Sequence, residues 1–124
     1  MADRPFKITG LDLSGYMVKD APRATAFYRD VLGLEPTRIY PEDRGAEYEF
    51  ADGTTFGLWS GGGIMPFQPS NGILFAVDDF DGAVSALKAR GIPVIMEHET
   101  AVCFMAMIND PEGNLVTLHK RKAG

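Results

Sequence analysis

The chain repeats itself. At a spacing of 59 residues Val18 meets Val77, Asp20 meets Asp79 and Ala24 meets Ala83; at a spacing of 60 the turn Ala51-Asp52-Gly53-Thr54 faces Pro111-Glu112-Gly113-Asn114. Few residues are identical, but the punctuation is shared. Self-similarity at a fixed period marks units that bury their apolar faces against one another. Each half reads as strand, capping Asp, helix, Gly stop, strand, and then two strands joined by a Gly turn. Half of 124 residues would hardly sustain a core alone. The expectation is one domain over 1–124, made of two βαβββ modules, about 8–60 and 71–120. The join, 61–70, holds three glycines and two prolines, a composition that suits a hinge within one fold.

Local chemistry supports this division. Ile73, Phe75 and Val77 alternate with Leu74 and Ala76, an apolar, β-favouring run that ends at Asp78-Asp79. Asp79 is a good N-cap for a helix over Phe80–Arg90. Ala83, Ala86, Leu87 and Ala89 give that helix a small apolar face. Gly91 suits the left-handed position after it, and Pro93 prevents continuation. In the first half Asp20 caps, Pro22 sits in the first turn where its missing N–H costs little, and Gly33 stops the helix. Ala24, Phe27, Tyr28, Val31 and Leu32 fall at helical spacing between them. Strands are expected at Thr37–Tyr40, Ala46–Ala51 and Thr55–Ser60, and again at Val94–Glu97, Cys103–Ile108 and Leu115–Lys120.

Composition closes off several functions. A formal net charge of −5 argues against nucleic-acid binding, which needs clustered Lys and Arg. The one basic run, Lys120-Arg121-Lys122, reads as a solvated tail. The single cysteine, Cys103, excludes an intrachain disulfide framework and a cysteine-based zinc site. No apolar run approaches the roughly 20 residues of a membrane span, and Met1–Gly10 lacks a signal-peptide core. The expected compartment is the cytoplasm.

Two segments are specific in combination: Ala26-Phe27-Tyr28-Arg29-Asp30-Val31-Leu32-Gly33-Leu34 and Asp110-Pro111-Glu112-Gly113-Asn114-Leu115. With Val18-Lys19-Asp20 and Val77-Asp78-Asp79-Phe80-Asp81, they make the chain resemble the vicinal oxygen chelate superfamily. That superfamily includes glyoxalase I, extradiol dioxygenases, fosfomycin-resistance enzymes and bleomycin-resistance proteins. The resemblance implies an α+β fold in which two βαβββ modules form a cup-shaped mixed sheet. It also implies metal ligands on the first and last strand of each module. The first-strand ligand position lies seven residues before the capping Asp, at Leu13 and Gly72; the last-strand position lies four after the turn Gly, at Gly57 and Thr117. Leu, Gly, Gly and Thr do not make a site for a divalent ion, which needs imidazole or oxygen donors. A register slip would bring in Asp12 or Asn71, but it would turn every side chain to the other face. The expectation is no metal and no cofactor.

Strand alternation gives the residues lining the cup: Leu13, Gly15, Met17, Thr55, Gly57 and Trp59, and Gly72, Leu74, Ala76, Leu115, Thr117 and His119. The expected ligand-binding set is Leu13, Met17, Gly57, Trp59, Gly72, Leu74, Thr117 and His119. Trp59 offers an aromatic face, Met17 an adaptable apolar contact, Thr117 and His119 polar groups, and the glycines room near the floor. Of Glu47, Glu49, Tyr48 and Phe50, either the glutamates or the aromatics face inward; glutamates would favour cationic ligands. His98 reads as a solvated loop or strand-end histidine, and Cys103 as a buried small hydrophobe. The Asp-Pro-Glu-Gly-Asn run reads as a turn that ties off a hairpin.

Bleomycin-resistance proteins are short, acidic members that bind a drug without chemistry, and this chain is similar in length, charge and missing ligands. The reading is a metal-independent protein that binds a flat, partly apolar small molecule. The alternative is a glyoxalase-like or dioxygenase-like enzyme, with displaced metal ligands or with His119 as a base. The resemblance further implies a homodimer, with modules exchanged between chains or not; charge and the lack of a long apolar run lead to the expectation of no nucleic-acid or membrane partner.

Overall fold

The computed structural model describes residues 6, 7, 9, 11–60 and 67–123. Part of the expected join, 61–66, lies outside the described residues. The first module runs β1 (Ser14–Met17), α1 (Ala21–Asp30), β2 (Arg38–Ile39), β3 (Gly45–Glu49) and β4 (Thr55–Trp59). The second runs β5 (Ile73–Ala76), α2 (Phe80–Ala89), β6 (Met96–Glu99), β7 (Cys103–Asn109) and β8 (Leu115–Arg121). Each module makes its own four-stranded mixed sheet, in the order β1-β4-β3-β2 and β5-β8-β7-β6. The first strand of each lies parallel to the last; the other pairings are antiparallel. The α+β architecture of two βαβββ modules is the expected one.

The helices begin and end where local chemistry directs. The Asp20 carboxylate accepts from the Arg23 backbone N–H at 3.1 Å, and the Asp79 carboxylate from that of Gly82 at 2.9 Å. Gly33 and Gly91 follow with φ of 72° and 76°, the conformation glycine supplies at a helix end without steric cost. The strand expected at Ala46–Ala51 runs Gly45–Glu49, the one expected at Thr37–Tyr40 is only Arg38–Ile39, and two further stretches differ. The strand after α2 sits at Met96–Glu99 rather than Val94–Glu97. Its ladder is anchored from the far end, where Thr100 N–H bonds the Cys103 carbonyl and Thr100 Oγ1 accepts from Cys103 N–H. Val94 instead packs against the core. After β2 the chain makes a single 3-10 turn, Pro41–Asp43, with Glu42 and Asp43 at positive φ, a feature with no Gly or Asn to announce it.

The core lies between the modules. Tyr16, Tyr28, Phe56 and Leu58 from the first share one cluster with Leu87, Ile108, Val116 and Leu118 from the second. Phe56 and Phe75 meet edge-on across the boundary, with centroids 4.9 Å apart. The Asp110–Asn114 turn does more than tie off its hairpin. The Tyr28 hydroxyl donates to Asp110 Oδ2 at 3.0 Å, and Asn114 Nδ2 to the Met17 carbonyl at 3.3 Å. Glu112 Oε2 accepts from the backbone N–H groups of Lys19 and Asp20 at 2.9 and 2.7 Å, and Arg23 donates to the Pro111 carbonyl. The Tyr16 hydroxyl bonds the Leu115 carbonyl at 2.8 Å. Asp110 and Asn114 are 5% and 0% exposed, and their burial is tolerated because their polar atoms are satisfied. Among the described residues no helix is long and apolar enough to cross a membrane.

Candidate functional site

The site must be built from the two sheet faces turned away from this core. Tyr16, Phe56, Leu58, Val116 and Leu118 point inward. Their neighbours in sequence therefore point outward, as alternation requires. On the first sheet Gly15 pairs with Gly57, and Gly57 with Glu47; Met17 pairs with Trp59. On the second, Leu74 pairs with Thr117 and Ala76 with His119. The sequence-derived list of outward residues thus has the correct sidedness.

Trp59 explains the glycines of the first sheet. A methyl group added at Gly15 would fall 2.4 Å from Trp59 Cζ3 and 2.1 Å from the Gly57 carbonyl oxygen. One added at Gly57 would sit 3.5 Å from Trp59 Cε3 and Cζ3 and from Leu13 Cδ1. The indole lies down over both glycines, with Leu13 beside it. The room that Gly15 and Gly57 were expected to leave for a ligand is taken by the Trp59 ring, because no side chain there holds it off the sheet. Trp59 stays partly exposed, so a ligand meets the outer side of the indole rather than the floor beneath it.

The orientation of β3 is settled. Tyr48 is buried in the core at 2% exposure, so Glu47 faces outward. The Tyr40 hydroxyl donates to Glu47 Oε2 at 2.5 Å, and Arg38 Nη1 stands 4.0 Å from the same oxygen. Burial, and then the bond to Glu47, push the Tyr40 phenol up to about 12. Tyr40 and Arg38 were missed in the sequence. Their two-residue spacing within the strand expected at Thr37–Tyr40 was the available signal.

The eight expected ligand residues divide between the sheets. Leu13, Gly57 and Trp59 touch or adjoin one another, with Met17 opposite Trp59. Gly72 and Leu74 line a groove of about 610 Å³ between the first sheet and β5, with Ser14, Thr55 and the turn Phe50–Thr54 except Gly53. Leu74 and His119 line another of about 430 Å³ with Ala76, Val77, Lys120 and Arg121. Leu13, Met17, Gly57 and Trp59 line neither. Thr117 is 2% exposed, so its hydroxyl is less accessible than expected. Cys103 is buried, with Sγ 3.2 Å from Thr100 Oγ1. His98 lies within β6, exposed.

The positions that correspond to family metal ligands do not suit a divalent ion. Leu13 and Thr117 are an aliphatic and a buried neutral hydroxyl; Gly57 and Gly72 bring no side chain. The space beside Gly57 is filled by Leu13 and the indole. Among the described residues, no three His, Cys, Asp or Glu gather where they would hold an ion.

Comparisons with known proteins agree on the fold. The family model described as Glyoxalase/Bleomycin resistance protein/Dioxygenase superfamily matches residues 10–118. No curated protein matches the chain. Among solved structures, TnmS3, an antibiotic binding protein from Streptomyces sp. CB03234, is 26% identical with a TM-score of 0.77, over 94% of this chain and 99% of its own. Lactoylglutathione lyase from Agrobacterium tumefaciens is 22% identical with a TM-score of 0.72, over 91% and 95%. A glyoxalase/dioxygenase from Nostoc punctiforme is 18% identical with a TM-score of 0.74, over 99% and 98%.

Proposed function

The chain belongs to the Glyoxalase/Bleomycin resistance protein/Dioxygenase superfamily, and from that premise we propose that it binds a small, flat, partly apolar molecule without a divalent metal. One observation carries this reading: the Trp59 indole is laid over Gly15 and Gly57 and remains partly exposed. An indole held against a sheet offers a rigid aromatic surface at little entropic cost. Met17 and Leu13 extend it as apolar contacts, and Glu47, held by Tyr40, offers an acceptor at its border. Leu74, Gly72 and His119 form the second part of the site, on the other sheet, over the buried Thr117. The likeness to an antibiotic-binding protein over nearly the full length of both chains supports binding as the task.

Trp59 is the single tryptophan, so its fluorescence reports on candidate ligands directly. For a ligand found this way, calorimetry on Trp59→Ala is expected to show binding weaker by about 1–3 kcal/mol, the scale of a lost stacked aromatic with its burial. Unchanged affinity would refute the stacking role.

The protein works as a homodimer in this proposal, with modules exchanged between chains or not. Leu74, Met96 and Ile39, on strands at the sheet edges, are 51%, 54% and 62% exposed, side chains that a second copy would cover in this proposal. Gel filtration at a mass near 13.5 kDa, that of one chain, would overturn the dimer.

A further inference from the structure

Both histidines of the chain, and three of its six methionines, share the outward face of the second sheet. The register sets them side by side. His98 on β6 is opposite Met105 on β7, Met105 is opposite His119 on β8, and Met96 is opposite Met107 one row away. Directly opposed residues on antiparallel strands hold their Cβ atoms roughly 4.5–5.5 Å apart. Two imidazoles therefore flank one thioether in a single row across three strands. Neither imidazole has a hydrogen-bond or ion-pair partner among the described residues, so their nitrogen lone pairs are uncommitted. Ala76 ends the row as a small residue, and the groove of about 430 Å³ opens beside His119.

We propose that His98, Met105 and His119 form a binding site for a soft monovalent cation of the Cu(I) class. The donors decide the ion. Thioether and imidazole are neutral ligands, and thioether sulfur selects soft metals over Mg, Ca or Mn. No carboxylate joins the row: Glu97 and Glu99 alternate to the other face, where they pair with Lys88 and Lys122. Arg121 lies on the outward face one row beyond His119, opposite Cys103. Uncharged donors beside a guanidinium disfavour a doubly charged ion more than a singly charged one. The Met96–Met107 pair supplies further thioether sulfur next to the site. The site shares His119 with the second part of the proposed small-molecule site but uses no residue of the Trp59 surface, which lies on the other sheet.

The test uses the full chain, as wild type and with Cys103→Ser, which removes the only thiol. Each is titrated with Ag(I), and with Cu(I) without oxygen against a coloured chelator, while the methionine methyl groups are followed by NMR. One equivalent is expected to bind in both, with the Met105 methyl resonance shifted. Met105→Leu, which nearly conserves volume, and His119→Ala are each expected to weaken binding at least about tenfold. Zn(II) is expected not to displace the ion. Three results would overturn the proposal: loss of binding with Cys103→Ser in a folded chain, unchanged affinity in Met105→Leu, or displacement by equimolar Zn(II).

Discussion

Every tyrosine of the chain is pushed above its ordinary ionisation range. Burial does most of this at Tyr16 and Tyr28, with the Asp110 carboxylate adding to it; burial leads at Tyr48 as well. At Tyr40 burial and the bond to Glu47 bring the phenol to about 12. A raised folded-state value means that the fold prefers the neutral phenol. The resulting stabilisation is complete below the unfolded value of 10.0 and is lost as pH rises through the folded value. Phenolate absorbance at pH 10 is therefore expected to be well below that of the unfolded chain, and to rise together with loss of circular dichroism above it. A tyrosine that ionises near pH 10 in a still-native chain would contradict this. Helical spacing identified Tyr28 as a packing residue, which it is. Its hydroxyl partner, Asp110, lies 82 residues away, and no local pattern encodes such a pair.

The two glycines under Trp59 have different tolerances. At Gly15 a Cβ would meet the Gly57 carbonyl oxygen at 2.1 Å, so backbone must move. At Gly57 its neighbours stand at 3.5 Å, an ordinary contact. Gly15→Ala is expected to cost about 1–3 kcal/mol, the scale of overpacking, and Gly57→Ala much less. Urea midpoints read the stability, and Trp59 emission reads whether the indole is displaced. Equal costs at the two sites would rule out this account of the floor. The helices were legible because their signals are local: Asp20 and Asp79 start them, Gly33 and Gly91 follow them. The sidedness of the strands was legible because side chains alternate. The start of β6 was not, because its register is set by the Thr100–Cys103 turn beyond its end. Nor was the resting position of the Trp59 ring, which depends on what two other strands lack.

The modules are held to each other by side chains, and nothing in the repeat indicates which ones. Asp110 is the centre of this clamp: its Oδ2 accepts from Tyr28 and from Asn114, and its Oδ1 from two backbone N–H groups. Tyr28→Phe removes one donor to a buried carboxylate and is expected to cost about 1–3 kcal/mol. Urea unfolding of this variant is expected to remain a single transition, because the core is shared. Two separated transitions would show that the modules fold independently. The division of the ligand residues between two sheets was equally hidden, since alternation tells which face a residue takes and not which faces meet.

The clamp has no means of recognising which chain supplies its halves. Tyr28 binds the Asp110 of its own chain; in the proposed dimer with exchanged modules it would meet that of a second copy. The intramolecular choice is favoured by the local concentration that the ten-residue tether, 61–70, imposes. A shorter tether that cannot span the gap forfeits that advantage, and exchange between chains then becomes a matter of mass action. The length of the connection is thus a dial on assembly, alongside the contacts of its described end, where Ser70 N–H donates to Asn114 Oδ1.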